Sequence, residues 1–133
     1  MKILIADDEL IMLKIIELRL KKDGHEVIVT SNGQEALEKI KQEDPDMIIA
    51  DIMMPFTSGL EIVSVVKQDK QQRNVPIIIL SSMGQENVVL EAFNLGADDY
   101  ITKPFSPNEL SMRVKRLAPP PTVKLAPALD ENT

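Results

Sequence analysis

The chain has 133 residues, a formal net charge of −6 and no cysteine. This length suits one domain that buries a core without disulfides, and the lack of cysteine excludes a thiolate metal site and a cysteine nucleophile. The acidic balance argues against direct nucleic-acid binding by this domain, because such binding relies on clustered lysine and arginine. No apolar run approaches the ~18 residues of a membrane span, so we expect a soluble cytoplasmic protein with no membrane partner.

Short apolar runs alternate with longer helical patterns along the chain, which is typical of repeated strand and helix units around a parallel sheet. The predicted strands are residues 3–6, 26–30, 47–50, 75–80 and 98–101. A helix is predicted after each strand, and these helices end near Lys22, Pro45, Asp69, Gly96 and Leu117.

Two helix starts carry specific signals in the sequence. Asp7, Asp8 and Glu9 are predicted to supply the cap and the first-turn acids of the first helix. Ser106 and Pro107 are typical of the cap and the first position of the last helix. These signals indicate where two of the five helices begin.

The composition of the strands predicts their order in the sheet. Residues 3–6, 47–50 and 77–80 are unbroken apolar runs, which indicates strands covered on both faces. Residues 26–30 and 98–101 include polar side chains and are therefore expected at the edges. We predict an α/β fold of the flavodoxin-like type, with a doubly wound five-stranded parallel sheet of order 2-1-3-4-5 and helices on both faces.

Carboxylates follow two of the predicted central strands. Asp7 and Asp8 follow the first strand, and Asp51 follows the third. The switch point of this strand order lies between the first and third strands, so the three acids are expected to meet at one edge of the sheet. Their mutual repulsion requires a cation, and an all-oxygen cluster without histidine suits Mg²⁺.

Two more polar side chains follow the other strands at the same edge. Lys103 lies just after the fifth predicted strand and Ser81 just after the fourth. An acid, a metal, a lysine and a hydroxyl together fit phosphoryl transfer to a carboxylate, in which Asp51 attacks and becomes an acyl phosphate. Singly, Asp7 and Asp8 are equally well explained as helix caps and Lys103 as a solvated lysine. These polar residues all follow separate strands at the same edge of the sheet, and this shared location favours a site for phosphoryl transfer.

Four motifs occur in a fixed order along the chain: DDE at 7–9, DIMMP at 51–55, SS at 81–82 and GADDYITKPF at 96–105. In sequence and spacing they resemble the receiver domain of bacterial two-component response regulators, including the chemotaxis receivers. The resemblance covers residues 1–117. We expect residues 118–133 to form a Pro-rich linker or a disordered tail.

The resemblance implies a role for each matching residue. Asp51 would accept a phosphoryl group from a sensor histidine kinase or a phosphotransfer protein. Asp8 and Asp51 would bind Mg²⁺ directly, Met53 would bind it through its backbone carbonyl, and Asp7 through water. Lys103 would contact the phosphoryl oxygens.

The resemblance also implies a conformational switch. The Ser81 hydroxyl would move to the new phosphoryl oxygen, and the ring of Tyr100 would move inward. The change would reach the face formed by the fourth helix, the fifth strand and the fifth helix, which is also a candidate homodimer interface.

The resemblance further implies that the bond between Lys103 and Pro104 is cis. Such a protein is not an enzyme, beyond catalysing its own phosphorylation and dephosphorylation.

Two methionines bear on how long the phosphoryl group lasts. In the family, the side chains two residues after the phosphoacceptor and two after the switch hydroxyl border the path of the attacking water. Here they are Met53 and Met83, and neither side chain orients a water molecule. We therefore predict slow self-dephosphorylation.

Two other functions remain open as alternatives. A phosphohydrolase of the haloacid dehalogenase type also uses a strand-end aspartate, Mg²⁺ and lysine, but it places a second aspartate where this chain has Met53. A phosphorylation-independent interaction module of the same fold would be favoured by loss of Asp51 or Lys103, and both are present.

The chain is either a stand-alone receiver or the N-terminal part of a longer regulator, and the three prolines at 119–121 slightly favour the longer regulator.

Overall fold

The computed structural model describes residues 1–118, so residues 119–133 of the predicted linker or tail lie outside the described part of the chain. Strands and helices alternate five times, as predicted. The strands are β1 (Lys2–Ala6), β2 (Glu26–Thr30), β3 (Met47–Asp51), β4 (Ile77–Ser81) and β5 (Asp99–Thr102). The helices are α1 (Leu10–Lys22), α2 (Gly33–Glu43), α3 (Gly59–Gln68), α4 (Glu86–Leu95) and α5 (Pro107–Leu117). Within residues 1–118, no helix is both long and apolar enough to cross a bilayer.

The five strands form one parallel sheet of order β2-β1-β3-β4-β5, which confirms the predicted fold. Ala6 of β1 pairs with Ala50 of β3, and Asp51 pairs with Leu80 of β4. Because all the strands run in the same direction, their carboxyl ends lie at one edge of the sheet. The residues that follow β1 and β3 are therefore neighbours in space.

Each face of the sheet buries its own apolar layer, because successive side chains of a strand point to opposite faces. Ile48 and Ile79 belong to the layer covered by α2, α3 and α4. Ile49 and Ile78 belong to the layer covered by α1 and α5. All residues of β3 and β4 are buried, whereas β2 and β5 include exposed positions. The predicted central and edge strands are thus confirmed.

The start of α1 differs from the prediction. The helix begins at Leu10, has no acidic residue in its first turn, and has Glu9 as an N-cap whose side chain makes no capping hydrogen bond. The Asp7 side chain instead accepts a hydrogen bond from the Glu9 amide at 2.9 Å, and the Glu9 carboxylate contacts Lys103. The Glu9 side chain contacts Lys103 instead of capping the helix, because an ammonium is a stronger, charge-assisted partner than a helix amide.

The last two strands begin slightly later than predicted. Pro76 has no amide hydrogen to donate, and the amide of Val75 bonds to Gln72, so β4 begins at Ile77. The Asp98 carboxylate accepts hydrogen bonds from the Ile77 amide and from Lys67, which places Asp98 before β5. The Asp98 amide also donates to the Ile77 carbonyl at 2.9 Å, so both the backbone and the side chain of Asp98 bond to the first residue of β4.

Three local predictions hold in the structure. Ser106 caps α5 by accepting a hydrogen bond from the Glu109 amide at 3.1 Å, and Pro107 is the first helical residue. Gly96 ends α4 with a φ of 116°. The bond that follows Lys103 is a cis peptide, as the resemblance implied.

Candidate functional site

Three carboxylates meet at the carboxyl edge of the sheet. Asp7 follows β1 and is fully buried, Asp51 ends β3 and is 8% exposed, and Asp8 is exposed. One oxygen from each side chain lies within 4.8 Å of the others. The structure therefore brings together the three acids that the strand order predicted would meet.

The Asp51 carboxylate is held at both oxygens. Its Oδ1 accepts a hydrogen bond from the backbone amide of Met53 at 3.0 Å, and its Oδ2 accepts one from Lys103 Nζ at 2.8 Å. These two contacts fix the carboxylate at the end of a buried strand, with one edge turned toward the other acids.

Gly59 brings the start of α3 directly against the end of β3. Its amide donates to the Ile52 carbonyl at 3.1 Å. A Cβ at this position would lie 2.8 Å from the Ile52 Cα and would also overlap the carbonyl oxygen of Asp51. Only glycine permits this close approach, which supports the loop behind the carboxylate.

Lys103 is the cation of this crevice. Its Nζ lies 2.8 Å from Asp51 Oδ2, 2.7 Å from Glu9 Oε1 and 2.9 Å from Asp7 Oδ2, and its side chain is 10% exposed. Burial lowers the pKa of Lys103, but the contacts with Asp51, Glu9 and Asp7 more than offset burial, so the pKa lies above its ordinary value. Lys103 is therefore positively charged in the folded protein, and it neutralises only part of the cluster.

The donor set suits a hard cation. Asp7 Oδ2 is buried and lies 2.9 Å from the ammonium of Lys103. Burial raises the pKa of Asp7 and the charge of Asp51 adds to the rise, against the lowering effects of the Glu9 amide and Lys103. Three clustered carboxylates with no histidine among them fit Mg²⁺ better than a softer metal.

Ser81 and Tyr100 lie beside the crevice on the next two strands. Ser81 ends β4, is 2% exposed, and its carbonyl accepts a hydrogen bond from the Lys103 amide at 2.6 Å. In the described chain its hydroxyl makes no hydrogen bond with Asp51 or Lys103. Tyr100 is 41% exposed, and its ring packs edge-on against Phe93 with 5.8 Å between centroids. The structure therefore places Tyr100 outside the crevice.

A cavity of about 410 Å³ lies between α4 and the ends of β4 and β5. Ser81, Phe93 and Tyr100 are among the residues that line the cavity. Val89, Leu90 and Met83 contribute apolar walls. Ser81 and Tyr100 thus line the same cavity.

Two charged contacts of this region were missed in the sequence. Glu9 was interpreted as a helix-start acid, although glutamate is not among the preferred N-cap residues. Asp99 was interpreted as part of a polar edge strand, but it is 5% exposed and lies 2.7 Å from Arg113 and 2.6 Å from Arg116. Burial raises the pKa of Asp99, but the hydrogen bonds and charges of these arginines outweigh burial and lower it. No local pattern signals this network, because its partners are on another element.

Comparison with known proteins identifies the family of the chain and agrees with its fold. The family model of the response regulator receiver domain matches residues 3–115. The alkaline phosphatase synthesis transcriptional regulatory protein PhoP of Bacillus subtilis is 40% identical over 116 residues, which are 87% of this chain and 48% of that protein. The phosphate regulon transcriptional regulatory protein PhoB of Pseudomonas aeruginosa is 42% identical over 113 residues, which are 85% of this chain and 49% of that protein.

Comparison with solved structures also shows the fold of a response regulator receiver domain. A chemotaxis response regulator of Vibrio cholerae superposes with a TM-score of 0.82 at 31% identity, over 87% of this chain and 97% of that one. The chain spans about half the length of the curated relatives it matches. The family match, the strand order and the acidic crevice agree, which confirms the resemblance: the chain belongs to the receiver domain family of two-component response regulators.

Proposed function

We propose that this domain is a phosphoacceptor switch of a two-component system in which Asp51 takes a phosphoryl group from a phosphohistidine donor. The main observation in support of the proposal is the position of the Asp51 carboxylate and its contacts. It ends a buried central strand, lies 2.8 Å from the ammonium of Lys103, and faces two further acids. A nucleophile, a cation for the phosphoryl oxygens and ligands for a metal are thus within one crevice.

The acids of the crevice would hold Mg²⁺. Asp8 and Asp51 would bind it directly, Met53 through its backbone carbonyl, and Asp7 through water. The ion supplies positive charge that offsets the repulsion between the attacking carboxylate and the phosphoryl oxygens. The grouping of one oxygen each from Asp7, Asp8 and Asp51 within 4.8 Å supports this assignment.

Phosphoryl transfer follows from the placement of Asp51 and Lys103. A carboxylate oxygen of Asp51 attacks phosphorus, and the bond from phosphorus to the donor nitrogen breaks. The donor imidazole, which carries a proton on its other ring nitrogen, keeps that electron pair. Lys103 retains its proton and offsets charge on the phosphoryl oxygens. The product is an acyl phosphate on Asp51 and a neutral donor histidine.

The response would use the space between Ser81 and Tyr100. A phosphoryl group adds about −1.5 to −2 charge and three acceptor oxygens. The Ser81 hydroxyl would turn to one of these oxygens, and the Tyr100 ring would enter the 410 Å³ cavity that both residues line. The altered surface would be the face of α4, β5 and α5, which is also our candidate homodimer surface.

The donor would be a sensor histidine kinase or a phosphotransfer protein, and we place the exchange in the cytoplasm. Apolar side chains of α1 support docking beside the crevice, because Leu10, Ile11 and Leu18 are 72, 80 and 57% exposed. Leu10 and Ile11 directly follow Glu9, which contacts Lys103. No nucleic-acid contact is assigned to this domain, in keeping with its net charge of −6.

Intact mass measured after incubation with acetyl phosphate and Mg²⁺ tests the proposal. We expect the chain to gain the mass of one phosphoryl group, and we expect no gain for Asp51→Asn or in EDTA. A gain that persists in Asp51→Asn would overturn the site assignment. No gain at all would favour the phosphorylation-independent module, and steady release of phosphate from phosphoesters would favour the hydrolase.

The exposed methionines support a long-lived phosphoryl group. Met53 and Met83 are 55 and 82% exposed, and neither side chain has a group that orients water for attack on phosphorus. We expect the phosphorylated chain in Mg²⁺ buffer to decay over minutes or longer, followed by intact mass. Met53→Asn is expected to shorten the lifetime several-fold, whereas Met112→Asn, which changes an exposed methionine of α5, is expected to leave it unchanged. Decay of the parent chain within seconds would contradict the prediction.

A further inference from the structure

The carboxylate of Glu9 shares the ammonium that holds Asp51. Glu9 Oε1 accepts a hydrogen bond from Lys103 Nζ at 2.7 Å, and the contact from the same nitrogen to Asp51 Oδ2 is 2.8 Å. The Lys103 side chain is 10% exposed and the Glu9 side chain is 61% exposed. Glu9 therefore approaches the ammonium from the solvent side and adds a negative charge at the mouth of the crevice.

Helix formation does not explain this contact. Glu9 is the N-cap residue of α1, with an extended backbone, yet its side chain accepts no hydrogen bond from the first turn. Burial does not hold it in place either, because most of its side chain is in water. Within residues 1–118, the ammonium of Lys103 is the one charged partner of the Glu9 carboxylate.

A phosphoryl group on Asp51 would need the same ammonium. A lysine ammonium has three hydrogen-bond donors. Here Glu9 and Asp51 each accept one of them, and Asp7 Oδ2 lies 2.9 Å from the same nitrogen. The phosphoryl group brings three acceptor oxygens and about −1.5 to −2 charge next to that nitrogen. Glu9 is then a competitor for Lys103 and a like charge beside the path of an incoming donor.

We infer that Glu9 is a positioning residue that competes with the phosphoryl group for Lys103 and slows phosphorylation by anionic donors. The inference rests on the proposed role of Asp51 as phosphoacceptor. Removal of the Glu9 charge takes away one of the three carboxylates that contact Lys103, so the phosphoryl oxygens meet one competitor fewer. Because Glu9 is largely exposed, its effect weakens as salt screens the crevice mouth, where the screening length is about 10 Å at 0.1 M ionic strength.

The test compares two charge-matched variants of the whole chain. Glu9→Gln keeps the size of the side chain and removes its charge. Glu38→Gln removes the same charge from an exposed position of α2 that belongs to no ion pair in the described residues. Phosphorylation of Asp51 is followed by intact mass with acetyl phosphate, a dianion at neutral pH, and with phosphoramidate, a monoanion, each at low and high salt.

We expect Glu9→Gln to raise the second-order rate constant for acetyl phosphate roughly 3- to 10-fold at low salt, with a smaller gain for phosphoramidate and at high salt. A second measurement does not depend on turnover. The phosphoryl mimic beryllofluoride, added with Mg²⁺ and followed by amide chemical shifts, is expected to bind Glu9→Gln more tightly by a similar factor. Glu38→Gln is expected to match the parent chain in both measurements.

Three results would overturn the inference. If Glu9→Gln matches Glu38→Gln in rate, salt dependence and beryllofluoride affinity, Glu9 has no such role, although Asp51 remains the phosphoacceptor. If Glu9→Gln is phosphorylated more slowly, Glu9 assists the reaction by holding Lys103 and does not compete. If Asp51 of the parent chain gains no phosphoryl group, the proposed function fails and this inference fails with it.

Discussion

Replacement of Lys103 with methionine is expected to lower the rate of phosphoryl transfer to Asp51 by about 10²-fold or more. Lys103 Nζ lies 2.8 Å from the oxygen that would attack phosphorus, so it is placed to offset charge on the phosphoryl oxygens. Loss of one preorganised charged donor of this kind typically costs 10²- to 10³-fold in rate. Methionine is close to lysine in length but has no charge, so the variant tests the charge more than the packing.

The same substitution is expected to destabilise the domain when no divalent cation is present. Asp7 and Asp51 are buried and would lose the ammonium that now lies within 2.9 Å of both. Removal of one partner of a buried ion pair costs about 3–5 kcal/mol, and the partly open crevice should reduce the loss to about 2–3 kcal/mol. We expect Mg²⁺ to restore much of this free energy of unfolding, because it replaces the missing positive charge.

The unfolding free energy should also depend on pH through the carboxyl group of Asp7. The folded-state pKa of Asp7 lies above the ordinary value of 3.8, so the folded state binds the proton more tightly than the unfolded state. Its contribution to stability is therefore present at low pH and declines as the pH rises from about 3.8 through the folded-state pKa. In Lys103→Met the folded-state pKa of Asp7 should rise further. The decrease in its contribution to the unfolding free energy should therefore continue to higher pH than in the parent chain.

Urea unfolding in EDTA and in Mg²⁺, together with intact mass after acetyl phosphate, measures these effects. Lys70→Met is a matched control, because Lys70 is exposed and belongs to no ion pair within the described chain. We expect Lys70→Met to change neither the unfolding free energy nor the phosphorylation rate appreciably. A Lys103→Met variant that reacts at the parent rate would contradict the role assigned to the ammonium.

The second large effect is expected for Gly59→Ala. The added Cβ would lie 2.8 Å from the Ile52 Cα and would overlap the carbonyl oxygen of Asp51. Both are backbone atoms, so relief requires either α3 or the end of β3 to move. We expect a loss of about 2–3 kcal/mol in unfolding free energy, in line with overpacking of a well-packed site. We also expect phosphorylation of Asp51 to slow by about tenfold or more, because small displacements of a reacting group are costly.

Gly24→Ala is a control that separates the steric effect of the Cβ from the backbone cost of replacing a glycine. Gly24 has a φ of 96°, but a Cβ there meets no atom within 4 Å. Alanine at this position should cost about 1 kcal/mol through backbone conformation alone and should leave the phosphorylation rate unchanged. If Gly59→Ala has no larger effect than Gly24→Ala on either stability or rate, the contact between α3 and the end of β3 is not important for the site.

Much of the fold could be predicted because the signals are local. Unbroken apolar runs marked β1, β3 and β4 as central, and polar residues marked β2 and β5 as edges. Once this order is accepted, parallel strands must deliver Asp7, Asp8 and Asp51 to the same edge of the sheet. The capping of α5 by Ser106 and the left-handed end of α4 at Gly96 depend on a few adjacent residues, so they were also predictable.

The sequence by itself thus determined the element order, the sheet and the acids that meet at its carboxyl edge. Only the tertiary structure decided which charges pair: Glu9 with Lys103 instead of with the first turn of α1, and Asp99 with two arginines of α5. The physical reason is that strands and helices follow from side-chain periodicity along the chain, which is local. Ion pairs depend on distances between side chains that lie far apart in sequence, and folding alone sets those distances.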